Sequence, residues 1–101
     1  MSIFVLLTHY QQDLAYRLAA SWHHPRFGIR FYEGRVVQVY GQVNPRFLRE
    51  LKDFKAIESV TQGWIMGIPA QRDARSLKLM GSTQFSEALL QRLRNLLQSS
   101  V

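Results

Sequence analysis

The chain has no cysteine, so a disulfide scaffold, a thiolate zinc site and a cysteine nucleophile are all excluded. Acidic residues are few: seven Asp and Glu stand against thirteen Lys and Arg, for a net charge of +6. That balance favours anionic partners or surfaces and says nothing about fold. No apolar run reaches the roughly 20 residues that a membrane-spanning helix needs. A secretory signal is not expected either, because the apolar run at 3–7 has no basic residue before it and gives way at once to Thr8, His9 and two glutamines. The glycines are scattered singly and form no phosphate-binding loop. What remains is ordinary for a folded protein: 101 residues, 47% hydrophobic and 20% charged, enough for one core and too short for two.

Ile3, Leu7, Tyr10, Leu14, Leu18 and Trp22 recur every three or four residues, the spacing of one helical face. Asp13 and Arg17, four apart, support the same helix. Pro25 ends it, because the residue before proline is pushed out of the helical region. Residues 1–24 therefore read as a helix, or as a short strand followed by a helix. A hairpin follows. Phe27, Ile29 and Phe31 alternate with Gly28, Arg30 and Tyr32, Glu33-Gly34 supplies the turn, and Val37 and Val39 alternate with Gln38 and Tyr40. Asn44-Pro45 is a cap followed by a residue preorganised for the first helical position. Phe47, Leu48, Leu51 and Phe54 then place a helix over about residues 45–57, with Arg46–Glu50 and Arg49–Asp53 as ion pairs.

A second hairpin is read from Trp64, Met66 and Ile68 alternating with Ile65 and Gly67, a polar connection at 71–75, and Leu77 and Leu79 alternating with Lys78 and Met80. Ser82 or Thr83 would cap a last helix whose stripe is Phe85, Leu89, Leu93 and Leu96, widened by Leu90 and Leu97. The expected fold is α+β in a single domain, residues 1–101. An N-terminal helix precedes two ββα units, at 27–57 and 62–98, whose hairpins join in a four-stranded antiparallel sheet with helices packed on one face. Phe27, Ile29, Phe31, Val37, Val39, Trp64, Met66, Ile68, Leu77 and Leu79 should face those helices. The N-terminal helix must bury its stripe elsewhere, over the second face of the sheet, alongside the first layer, or against another chain.

No constellation announces an enzyme. The three histidines, His9, His23 and His24, have no metal-binding spacing, no G-x-S-x-G elbow appears, and the carboxylates are spread over mixed-charge faces. Neither a metal, a cofactor nor a catalytic residue is expected. The functional expectation is a non-enzymatic, cytoplasmic interaction or regulatory module that binds a protein partner or itself. Its contacts would be Ile3, Phe4, Leu7 and Tyr10, where apolar residues surround the helix on every side. The alternative is single-stranded RNA or DNA held by a sheet face carrying Arg30, Tyr32, Tyr40 and Lys78, where rings stack on bases and cations meet phosphates. Against it, no strand carries an RNP-type pattern. Peripheral contact with a membrane surface is a further option for the N-terminal segment, which lacks the basic flank such helices carry.

Two segments, "IRFYEGRVVQVYGQVNPRFLRELKDF" and the terminal "QRLRN" at 91–95, carry a resemblance from about residue 27 onward. The chain resembles a family of small proteobacterial proteins known only as a domain of unknown function. The resemblance implies a short N-terminal membrane anchor followed by a ββα-type module, and it implies no activity and no site residues. The stretch at 8–13 here is more polar than such an anchor.

Overall fold

The computed structural model describes residues 3–69 and 77–99, and for residues 3–10 and 12 the backbone alone. Helix α1 runs Ile3–His23 and stops where His24, held before Pro25, turns to a positive φ of 50°. Strands β1, Phe27–Tyr32, and β2, Arg35–Gly41, form the expected hairpin. Its two-residue loop has positive φ at both Glu33 and Gly34, the geometry that matches strand twist and that glycine accepts without strain. Helix α2, Pro45–Lys52, starts at Asn44, whose side chain accepts from the Arg46 amide at 2.9 Å. The Arg46–Glu50 pair closes at 3.3 Å.

Helix α2 is shorter than its apolar pattern predicts. It ends at Asp53, Phe54 is extended, and a single 3-10 turn, Lys55–Ser59, follows. At about 100° per residue, an uninterrupted helix would carry position 57 roughly 80° away from Phe47 and position 60 further still. The break returns Ile57 and Val60 to the interior, and both are buried.

Strands β3, Gln62–Pro69, and β4, Leu77–Gly81, complete a sheet of order β2-β1-β3-β4, with every neighbouring pair antiparallel. The connection expected at 71–75 lies outside the described residues. Helix α3, Glu87–Ser99, begins later than expected. Ser86, rather than Ser82 or Thr83, accepts from the Leu89 amide at 3.1 Å, and Phe85 is buried ahead of the helix. Its buried line is Leu90, Leu93 and Leu97, while Leu89 and Leu96 lie at the side of the core, half-buried.

Helices α2 and α3 cover one face of the sheet. Phe27, Ile29, Phe31, Ile65 and Leu79 meet Phe47, Leu51, Leu90, Leu93 and Leu97 there. On β3 this corrects the expected alternation: Ile65 faces these helices, while Trp64, Met66 and Ile68 lie on the other face, with Tyr16. The register gives the reason. Phe27 stands opposite Gly67 and Phe31 opposite Gly63, so the faces follow the glycines. A Cβ at Gly67 would run into the Phe27 ring, and one at Gly63 would press on Phe85. On β2 the register shifts between Arg30 and Phe31, and Val36 packs on the core instead of Val37. Val37 and Val39, expected inside, are 46% and 38% exposed on this edge strand.

Candidate interaction surface

Helix α1 lies over the sheet face opposite α2 and α3, and its two sides differ in chemistry. The side toward the sheet carries Asp13, Tyr16, Ala19 and Ala20. Tyr16 is buried over Gly28, where any Cβ would occupy the space of its phenol. Its ring stacks on Tyr40, with centroids 4.3 Å apart and planes 16° from parallel, and stands edge-on to Trp64 at 6.0 Å. Burial, and secondarily the neighbouring Tyr40, raises the Tyr16 pKa above the ordinary 10.0.

Asp13 organises the polar part of this contact. Its carboxylate accepts a hydrogen bond from the Tyr40 hydroxyl. It also pairs with Arg17 at 3.0 Å and accepts from Arg30 at 3.5 Å. Arg30 is only 6% exposed and donates as well to Gln38 at 3.1 Å. Burial is the main cause of a raised Tyr40 pKa, and the bond to Asp13 raises it further. A buried guanidinium needs such partners, because an uncompensated charge away from water is costly.

The opposite side of α1 is apolar and open. Leu14 is 46%, Leu18 64% and Trp22 83% exposed, at successive intervals of four. The described part of the predicted stripe, Leu14, Leu18 and Trp22, faces away from the sheet. Positions 3 and 7 continue its line by helical spacing. Ile3, Phe4, Leu7 and Tyr10, the expected contact residues, belong to the first turns of α1, and their side chains lie outside the described residues.

Arg30, Tyr32, Tyr40 and Lys78 share the sheet face on which α1 lies. Tyr32 is half-buried at the end of β1 and Lys78 exposed on β4. Arg30 and Tyr40 are instead bound to Asp13 and, for Tyr40, stacked under Tyr16. Asp13 and Tyr16 were not legible as functional positions. Their signal was a polar and an aromatic residue at 13 and 16, followed by small residues at 19 and 20, on the side opposite the stripe. Among the described residues no three His, Cys, Asp or Glu side chains group as metal ligands, and no helix is long and apolar enough to cross a membrane.

Residues 3–100 match the family described as Protein of unknown function (DUF3634). The chain belongs to that family. Family membership thus extends through α1, beyond the segment after residue 27 that first suggested a resemblance. No curated protein and no solved structure matches this DUF3634 member.

Proposed function

We propose that this DUF3634 protein is a non-enzymatic module of the bacterial cytoplasm that binds a protein, either another chain or a second copy of itself, through the outward face of α1. The observation that carries the reading is Trp22, 83% exposed and in line with Leu18 and Leu14 on a helix whose other side is committed to the sheet. Covering a large apolar side chain stabilises a complex by about 1.5–3 kcal/mol before the costs of association. A line of three exposed apolar side chains is the kind of surface that marks interfaces.

The test is a photo-crosslinking residue placed at position 18 in the full chain, with sedimentation of the purified protein alongside. Crosslinks to a protein, lost when Leu14 and Trp22 are changed to Glu, support the reading. A strict monomer that crosslinks to no protein in its own cells overturns it.

The charge of +6 favours a second reading, single-stranded RNA or DNA across Arg30, Tyr32, Tyr40 and Lys78. It requires α1 to leave the sheet, because Asp13 and Tyr16 occupy Arg30 and Tyr40. Oligonucleotide binding that weakens with salt and exposes Tyr16 would support it, and its absence at low salt would remove it.

A further inference from the structure

A groove on the other side of the molecule, far from α1 in the layer order, has its own chemistry. The break after α2 sends Phe54 and the turn at Lys55–Ser59 along the flank of α3. A hollow of about 360 Å³ lies between Lys55, Ala56 and Ser59 on one side and Leu89 and Arg92 on the other. A second, of about 400 Å³, lies between Phe54 and the α3 residues Arg92, Asn95 and Leu96. Arg92 lines both hollows, which lie side by side along α3. Their floor is aliphatic, built from the half-buried Leu89, Leu96 and Ala56.

The charged residues that line the groove are of one sign, with the exposed Glu58 in the same turn as Lys55 and Asp53 beside Phe54 outside the lining. Lys55 and Arg92 line it, and no carboxylate does among the described residues. The nearest acid on α3, Glu87, is held by Arg94 at 3.3 Å, and Arg94 also donates to the Leu79 carbonyl of β4, on the opposite flank of the helix. The Arg92 guanidinium lies over the Phe54 ring, 5.1 Å from its centroid. A guanidinium held over a ring face keeps N–H donors for a carboxylate while its stem stays ordered.

We propose that this groove docks an acidic peptide segment of another protein, with carboxylates on Arg92 and Lys55 and aliphatic side chains on the floor between them. Three features select that occupant. An aliphatic floor between two cations matches a strand of mixed acidic and aliphatic residues. Nucleic acid would require open rings for its bases, and the Phe54 face is already taken by Arg92. A second copy of this chain offers poor complementarity, because it carries +6 itself.

The experiment uses the full chain and fluorescein-labelled decapeptides of permuted Glu and Leu, read by anisotropy and by amide shift mapping. The expected result is saturable binding with shifts at Ala56, Leu89, Arg92 and Leu96. The exposed pair Lys55→Glu and Arg92→Glu should together weaken it by about tenfold or more. Arg35→Glu, an equally exposed charge reversal on β2, should change it far less. The proposal is overturned if no decapeptide binds, if the shifts map elsewhere, if the Lys55/Arg92 variant binds as the native chain does, or if a labelled oligothymidylate competes equally well.

Discussion

The Tyr16 ring of α1 lies parallel to the Tyr40 ring of β2, 4.3 Å away, directly above the glycine at position 28 of β1. This contact, rather than the apolar stripe, is how α1 holds the sheet. Its energetics are those of one buried aromatic pair and one carboxylate shared among a phenol and two guanidinium groups. A helix attached this way leaves Leu14, Leu18 and Trp22 exposed.

Gly28→Ala should loosen that attachment. The new methyl would coincide with the Tyr16 phenol, and either the ring or the helix must move. Overpacking of this kind costs about 1–3 kcal/mol. Urea unfolding should show the loss, and hydrogen exchange should show faster opening of residues 13–20 than of β3. Native-like exchange throughout α1 would contradict the packing.

Asp13→Ala should destabilise the chain by about 1–3 kcal/mol, since it removes a charged acceptor from Tyr40 and from a nearly buried Arg30. The measurement is a double-mutant cycle with Arg30→Met. If Asp13 acts through Arg30, the second substitution should recover part of the loss. Simple additivity would place the effect on Tyr40 and Arg17 instead.

Alkaline pH should weaken the fold through the same pair. Both phenols have pKa values raised above 10.0, mainly by burial. Below that pH they are neutral in the folded and the unfolded chain, and their contribution is complete. As pH rises through 10.0 the unfolded chain releases protons that the folded chain retains, so stability falls. Urea midpoints from about pH 9 to about pH 11 should decline, and less steeply in Tyr16→Phe. Equal slopes in the two proteins would remove Tyr16 as a cause.

The elements were legible where a local signal had a single physical meaning. Glu33-Gly34 could form only a tight turn, and Asn44-Pro45 only a helix start. Faces were harder to read. The three bulky residues Trp64, Met66 and Ile68 looked like the core side of β3, yet the sheet is covered on both sides, and Gly63 and Gly67 yield their space to Phe85 and Phe27. On β2 the register shift moved Val36 inward in place of Val37. For α1 the period of the stripe was read correctly, but its direction depended on Asp13 finding Arg30, a partner 17 residues away. The groove beside α3 was illegible for the same kind of reason: it exists because α2 stops at Asp53, and the apolar pattern through Phe54 gave no sign of that stop.

The two tryptophans report the two sides of α1 separately. Trp64 is buried beneath Tyr16, whereas Trp22 is 83% exposed on the outer face. In Trp22→Phe the remaining emission should be blue-shifted and resistant to iodide, and in Trp64→Phe it should be red-shifted and readily quenched. Replacing an exposed side chain such as Leu18 by Glu should leave stability within about 0.5 kcal/mol. If a protein binds the outer face of α1 as proposed, adding it to Trp64→Phe should move the Trp22 emission to the blue and remove its quenching, because it replaces water over Leu14, Leu18 and Trp22. An unchanged Trp22 spectrum at saturating partner would show that binding uses another surface.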